Sequence, residues 1–205
     1  MKQNKFKAIV FDLGNVLIPF DNKIFVNRLN SIKNGIGDKL YDFYKSNYHF
    51  HRNFERGQIP EEEFISKMLD VIEDLINPET FCNYYADIFS LNEEVIALLP
   101  QLKINYKLYL LSNTDPIHEK YGWRKYDFFI HFDKLILSHK VGAVKPEEKI
   151  YRAVEKASGF LPEEHFFIDD IIDYVNAAKD FGWDAVQFSS YENLVKNLKE
   201  KDILI

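Results

Sequence analysis

The sequence contains a single cysteine, Cys82, so the chain cannot form an internal disulfide bond. A fold without disulfides is typical of a reducing compartment, and we expect a cytoplasmic location. No run of about 18 apolar residues is present, so we expect no membrane-spanning helix. Lys and Arg number 26 against 32 Asp and Glu, which gives a net charge of -6. We therefore expect no nucleic-acid partner, because phosphate backbones need a concentrated basic face.

The composition is that of a soluble globular protein, with 46% hydrophobic and 28% charged residues. Aromatic residues are abundant, with 18 Phe and 12 Tyr, and they supply bulk for a core. A chain of 205 residues is long enough for one full domain with a modest insertion. We expect a monomer or a weak homo-oligomer.

From residue 92 onward, apolar runs alternate with helical segments. The section between the first apolar run and residue 92 lacks this alternation. The expected strands are residues 9–11, 107–111, 135–137, 166–168 and 185–188. The expected helices of the alternating part are residues 92–102, 146–157, 174–181 and 192–199. Between them, helices without strands are expected over residues 23–32, 39–46, 61–75 and 79–88.

This pattern predicts an α/β fold, a doubly wound (Rossmann-like) parallel sheet with an inserted α-helical cap. The core domain is expected to comprise residues 1–18 and 92–205, and the cap residues 19–91.

Polar side chains follow several of the expected strands or begin a helix. Because parallel strands end at one edge of a sheet, these residues are expected to converge there. An aspartate can act as a nucleophile, a hydroxyl and an amide can hold phosphate oxygens, and a lysine can neutralise them. Paired carboxylates can bind Mg²⁺. The residues concerned are Asp12, Ser112, Asn113, Lys145, Asp169 and Asp170.

Four segments carry these residues in order: FDLGNVL at 11–17, LSNT at 111–114, VKPE at 144–147 and FIDD at 167–170. In this order and spacing, the chain resembles the haloacid dehalogenase-like hydrolase superfamily over essentially its whole length. The helical section after the first segment looks like the helical cap of that superfamily.

The resemblance implies a role for each residue. Asp12 would attack the phosphorus of a phosphate ester and form an aspartyl-phosphate. Ser112, with Asn113 beside it, would hydrogen-bond the transferred group, and Lys145 would pair with both the nucleophile and the phosphate.

The same resemblance implies a magnesium site. Mg²⁺ would lie between Asp12, the backbone carbonyl of Gly14 and Asp170, with Asp169 as a direct or an indirect ligand. The implied substrate is a small phosphorylated metabolite.

Gly14 departs from the usual pattern, in which phosphatases of the superfamily carry a second aspartate at this position. That aspartate protonates the leaving alcohol, a contribution of about 10²–10⁴-fold. Either the leaving group departs with little help, or a cap residue such as His49, His51 or Glu55 replaces the acid. A third possibility is a phosphometabolite-binding protein with little turnover.

The DLGNV form resembles a subgroup that includes α-D-glucose 1-phosphate phosphatases, as does the cap string at residues 51–59. This favours a sugar phosphate such as a hexose 1-phosphate as the substrate. Tyr174 is a second departure, because many relatives have asparagine there. A metal-independent 2-haloacid dehalogenase is the alternative, but such relatives typically carry tyrosine at the position of Gly14.

The cap supplies two candidate substrate-binding residues. Arg56 precedes Gly57 in an expected turn between two helices, where a left-handed glycine would let the arginine reach into the site. His51 lies five residues earlier in the sequence and is the second candidate.

Overall fold

The computed structural model describes residues 5–204. Its centre is a sheet of five parallel strands in the order β3-β2-β1-β4-β5. The strands are β1 (Ala8–Phe11), β2 (Lys107–Ser112), β3 (Lys134–Leu137), β4 (His165–Asp169) and β5 (Asp184–Gln187). Each lies within one residue of its predicted limits, and the predicted doubly wound core is confirmed.

Strand β1 lies in the middle of the sheet and all its residues are buried. In register with its neighbours, Phe11 lies opposite Leu110 of β2 and Ile168 of β4. The residues that follow these three strands therefore emerge side by side at one edge of the sheet.

The predicted helical cap lies between β1 and the next core helix. Its buried side chains, among them Leu29, Phe64 and Phe81, form a hydrophobic cluster apart from the two clusters that cover the sheet. The helices are α1 (Asn22–Ile32), α2 (Ile36–Ser46), α3 (Tyr48–Glu55), α4 (Glu61–Val71) and α5 (Pro78–Ala86).

The two segments that connect the cap to the core run next to each other. Phe20 and Phe89 form an antiparallel bridge, and the amide of Ser90 donates to the carbonyl of Pro19 over 2.9 Å. We propose that the domain limits are those expected from the sequence, with the cap at residues 19–91. The outermost positions of the core domain, 1–4 and 205, lie outside the described residues.

Helices cover both faces of the core sheet. The inner residues of β1 alternate, with Ile9 and Phe11 in one hydrophobic cluster and Ala8 and Val10 in the other. The first cluster includes buried side chains from α6 (Glu93–Ile96), α7 (Leu99–Lys103) and α11 (Tyr191–Glu200). Side chains from α8 (Ser138–Val141), α9 (Glu148–Ser158) and α10 (Ile172–Asp180) pack in the second cluster.

Two helix predictions were wrong in detail, and one helix was not predicted. The predicted helix 61–75 ends at Val71, because Glu73 and Asp74 adopt φ values of 60° and 52°. The predicted helix 92–102 is divided into α6 and α7, and Pro100 lies in the first turn of α7. Helix α3 was not predicted, since its histidines, asparagine and aromatic residues are weak helix formers that tertiary packing must support.

Shorter helical turns complete the chain. They are a π-helix at His118–Trp123 and 3₁₀ turns at Asp127–His131 and Pro162–Glu164. Within residues 5–204, no helix combines the length and apolar character needed to cross a membrane.

Candidate active site

Asp12 directly follows β1 and meets a buried lysine. The Lys145 Nζ lies 2.7 Å from Asp12 Oδ1 and 2.6 Å from Asp169 Oδ2, and the lysine side chain is 1% exposed. A charge this deeply buried is stable only when it is paired. The ammonium group therefore joins the end of β1 to the end of β4.

The protonation of Asp12 is set by its surroundings. Burial raises the pKa of this carboxyl to about 7; Lys145 opposes the shift, and the carboxylates of Asp169 and Asp170 add to it. The pKa of Lys145 is also raised: burial opposes this, but Asp12 and Asp169 outweigh the cost. One lysine thus balances only part of the negative charge collected here.

The raised pKa of Asp12 predicts how stability depends on pH without metal. A carboxyl whose pKa rises from 3.8 unfolded to about 7 folded favours the folded state at low pH. That contribution is complete below pH 4 and is lost as the pH rises through 7. In excess chelator, we expect Asp12→Asn to exceed the wild type in stability at pH 8 by on the order of a few kcal/mol.

The difference should shrink toward pH 4, because asparagine resembles the protonated carboxyl. Urea unfolding of both proteins across this range measures it. A stability difference that does not change with pH would contradict the proposed ionisation of Asp12.

The carboxylates of Asp12, Asp169 and Asp170 have ligand atoms that all lie within 4.8 Å of one another. Asp169 uses both oxygens within the protein, Oδ2 for Lys145 and Oδ1 for the backbone amide of Ile171. A hard divalent cation with oxygen ligands fits this cluster, which has more negative charge than Lys145 can balance. Asp170 accepts from the Asn15 side chain over 3.0 Å, and Asn15 was not predicted as a site residue.

Ser112 and Asn113 stand beside the cluster at the end of β2. Ser112 is buried, and its hydroxyl lies 3.4 Å from the carbonyl of Asn113. The side chain of Asn113 accepts from the Lys145 amide over 2.7 Å and donates to the Lys145 carbonyl over 3.2 Å. Its amide therefore fixes the backbone that carries the lysine.

Arg56 does not line the cavity at this edge. Its guanidinium pairs with Glu147 of the core, with contacts of 2.8 and 2.6 Å. Gly57 has the expected left-handed conformation, with φ 67°, and a side chain there would meet the carbonyl of His139 at 2.3 Å. This stretch therefore packs the cap against the core.

Arg52, which was not predicted, occupies the cavity wall. Its guanidinium donates to Glu55 over 2.8 Å within the cap and to the Lys145 carbonyl over 2.8 Å in the core. It also lies 3.4 Å from the hydroxyl of Tyr174, which accepts in addition from the Asn113 side chain. The unusual Tyr174 thus belongs to the contact between cap and core.

A buried hydrogen-bonded chain runs from His51 to His118. The Tyr85 hydroxyl donates to Asp115 over 3.1 Å and accepts from Nε2 of His51 over 3.2 Å, so in the neutral ring Nδ1 of His51 is unprotonated. That Nδ1 is buried without a hydrogen-bond partner, 3.9 Å from Glu55. Burial accordingly lowers the pKa of His51.

At the other end of this chain, both ring nitrogens of His118 face acceptors. Nδ1 lies 2.8 Å from Asp115, and Nε2 lies 3.2 Å from the Tyr85 carbonyl, so the ring is an imidazolium. Burial opposes that charge, but Asp115 raises the pKa of His118. Burial likewise opposes ionisation of Asp115, yet the imidazolium lowers its pKa to about 2.

The Asp115–His118 pair was not predicted. Asp115 also accepts from the backbone amides of Ile117 and His118, so a helix cap at this aspartate was the available sequence signal.

The catalytic edge and the cap enclose a cavity of about 280 Å³. Asp12, Ser112 and Lys145 line its core side, and His51 and Glu55 line its cap side. Aromatic side chains are the largest group in the remaining wall. The aromatic side chains include Phe20, Phe25, Tyr44, Tyr48, Phe64, Phe81, Tyr85 and Trp123.

Gly14 lies in the cavity wall next to Phe20. A side chain at Gly14 would meet the Phe20 ring at 3.1 Å. The aromatic ring therefore partly fills the space that an aspartate side chain would need at this position.

The sequence profile of the haloacid dehalogenase-like hydrolases matches residues 6–182. The chain belongs to this family. The predicted membership of the haloacid dehalogenase-like (HAD) family and the predicted enzyme class, a HAD-like hydrolase, are confirmed.

Members of the HAD family resemble most of this chain. A D-ribitol-5-phosphate phosphatase of Bacteroides thetaiotaomicron is 27% identical over 191 residues, which cover 88% of this chain and 91% of the relative. A HAD family enzyme of the same species, solved with magnesium and inorganic phosphate, is 26% identical with a TM-score of 0.76. That likeness covers 92% of this chain and 98% of the other.

A HAD dehalogenase shares the fold more distantly. The L-2-haloacid dehalogenase of Xanthobacter autotrophicus is 20% identical with a TM-score of 0.64, over 98% of this chain and 85% of that one. At this identity, the likeness concerns the fold alone. The resemblance to the glucose 1-phosphate subgroup of the HAD family stays a prediction.

Proposed function

We propose that the chain is a Mg²⁺-dependent phosphatase that hydrolyses a small phosphomonoester of a sugar or polyol through an aspartyl-phosphate. The observation that carries this proposal is the buried contact of Lys145 with Asp12 and Asp169, which faces a cavity of metabolite size. The HAD relatives support it, one as a polyol phosphate phosphatase and one as a complex with magnesium and inorganic phosphate.

In this reaction, an Asp12 carboxylate oxygen attacks the phosphorus while the bond to the ester oxygen breaks. Water then cleaves the aspartyl-phosphate, which releases inorganic phosphate and regenerates Asp12. Lys145 holds the nucleophile in place and neutralises the phosphate, and Ser112 donates a hydrogen bond to a phosphate oxygen. Asn113 holds the Lys145 backbone.

The proposed ligands of the metal are Asp12, Asp170 and the Gly14 carbonyl, with Asp169 acting through its bond to Lys145. When bound, Mg²⁺ neutralises charge on the phosphate oxygens and orients the ester for in-line attack.

Because position 14 is a glycine and supplies no general acid, the identity of the leaving group matters for the rate of hydrolysis. A hexose 1-phosphate has a good leaving group, whereas a ribitol 5-phosphate must expel a primary alkoxide and needs a proton donor. His51 and Glu55 are the cavity-lining groups that are candidates for this role. His49, the third cap candidate, does not line the cavity.

The dehalogenase hypothesis has less support than the phosphatase proposal. The acidic cluster of Asp12, Asp169 and Asp170 would repel the carboxylate of a haloacid, and no tyrosine stands at Gly14. A phosphometabolite-binding protein with little turnover uses the same contacts and differs only in rate.

The test is a panel of phosphate esters, assayed with Mg²⁺ and with excess chelator. We expect turnover of nitrophenyl phosphate, a hexose 1-phosphate and a polyol phosphate, and a loss of at least about 10²-fold without metal. Ca²⁺ should inhibit, because its larger and looser coordination disturbs in-line attack.

A 2-haloacid in the same panel controls for the alternative. Full activity in chelator, or turnover of the haloacid alone, would overturn the proposal. Binding of esters without turnover would identify a binding protein.

A further inference from the structure

The cationic side chains that line the cavity are all paired with carboxylates. Among residues 5–204 there are three such cations, two from the core and one from the cap. The pairs are Lys145 with Asp12 and Asp169, Arg52 with Glu55, and His118 with Asp115.

This pairing limits the charge that the cavity accepts. The phosphate of a substrate is met by Lys145 and the acidic cluster, where the proposed Mg²⁺ adds positive charge. A second anionic group, on the leaving-group side, finds aromatic and neutral polar side chains and cations that are already paired with carboxylates, but no free cation among the described residues. Burying an anion without a partner is costly.

Glu55 carries the negative charge of its pair with Arg52 on the cap side of the cavity. It lines the cavity, and both of its polar contacts are at Oε2: the Arg52 guanidinium at 2.8 Å and His51 Nδ1 at 3.9 Å. Oε1 is the second acceptor of the same carboxylate. A carboxylate accepts hydrogen bonds from hydroxyl groups and repels other anions.

The cavity is also small. Its volume of about 280 Å³ lies just below the usual range of ligand sites, which favours a molecule of the size of a single sugar or polyol.

We infer that the cavity selects phosphomonoesters whose leaving group is uncharged and bears hydroxyl groups, and that Glu55 is the residue that excludes leaving groups with a second anion. This rests on the proposed function, since it concerns the same site. Mono-phosphates of sugars and polyols fit; bisphosphates and phosphorylated carboxylic acids do not.

The inference predicts a gain of binding on mutation. Glu55→Gln keeps the size of the side chain and removes its charge, which releases the Arg52 guanidinium from its carboxylate partner. An unpaired guanidinium is a strong site for a carboxylate. The variant should therefore accept an anionic leaving group that the wild type rejects, a result that misfolding cannot produce.

The test compares two esters with the same carbon skeleton, glycerol 3-phosphate and 3-phosphoglycerate, which differ by a hydroxymethyl group against a carboxylate. Calorimetry with Mg²⁺ measures their dissociation constants for the non-hydrolysing Asp12→Asn protein. We expect glycerol 3-phosphate, whose leaving group is uncharged, to bind at least about tenfold more tightly, because Glu55 repels the carboxylate of 3-phosphoglycerate.

Adding Glu55→Gln should reduce this preference at least about tenfold, through tighter binding of 3-phosphoglycerate. Glu62→Gln is the matched control: it removes the same charge from an exposed position of the cap and should leave the preference within about twofold.

Equal or tighter binding of 3-phosphoglycerate by the Asp12→Asn protein would overturn the inference, as would a preference that Glu55→Gln leaves unchanged. Failure to bind either ester would overturn it too. A protein that shows the binding preference but hydrolyses no ester would overturn the proposed function and leave this inference standing.

Discussion

Replacing Asp12 with asparagine is expected to reduce phosphate-ester hydrolysis by at least about 10³-fold, because the variant retains the shape of the side chain but lacks the nucleophile. The fold should survive, since Lys145 keeps its contact with Asp169 and the altered carboxyl stands beyond the end of β1. Initial rates with nitrophenyl phosphate in Mg²⁺ measure the loss.

Asp173→Asn is the matched control, an exposed aspartate in the first turn of α10. It should retain the wild-type rate within about twofold, as surface substitutions usually do. An Asp12→Asn protein with a normal unfolding transition and most of its activity would refute the assignment of the nucleophile.

Removing the charge of Lys145 is expected to affect both activity and stability. Lys145→Met leaves the carboxylates of Asp12 and Asp169 buried without their cation, at a cost of about 3–5 kcal/mol in metal-free protein. Because Lys145 lowers the pKa of Asp12, its loss raises that pKa further, and less of the nucleophile is ionised at neutral pH. We therefore expect hydrolysis to fall close to background.

Urea unfolding in chelator at pH 5 and pH 8 tests the stability effect. The penalty should be larger at pH 8, because protonation of Asp12 in the folded state relieves it as the pH falls through about 7. Lys179→Met, at an exposed position of α10, supplies the control. A loss of less than about 1 kcal/mol in the free energy of unfolding at pH 8 would show that the buried ion pair contributes little to stability.

The sequence predicted the core edge well because the signals were local. Apolar runs ended at Asp12 and at Asp169, and parallel strands oblige such ends to meet. The structure brings Asp12, Lys145 and Asp169 into direct contact, and it places Asp170 within reach of the same cluster. The roles of these residues stay predictions.

The cap was harder to predict because the direction of a side chain depends on a helix that the sequence did not reveal. Within α3, residues three and four positions apart share a face, so His51, Arg52 and Glu55 point together into the cavity. Arg56 lies just beyond the helix and turns to Glu147 instead. Without α3, the turn offered no way to choose between the two arginines.

Other expectations concern properties outside the fold. The cytoplasmic location, the oligomeric state and the lack of nucleic-acid or membrane partners stay predictions.

The chain of hydrogen bonds through Tyr85 and Asp115 has a consequence for chimeric proteins. A transplant of residues 19–91 alone into another scaffold would take Tyr85 and leave behind Asp115 and His118, the partners that its hydroxyl and carbonyl bind. The transplant would leave buried polar groups without hydrogen-bond partners, both in the transferred cap and in the remaining core. The smallest transferable unit for exchanging substrate preference is therefore discontinuous, and includes residues 115–118 with the inserted helices.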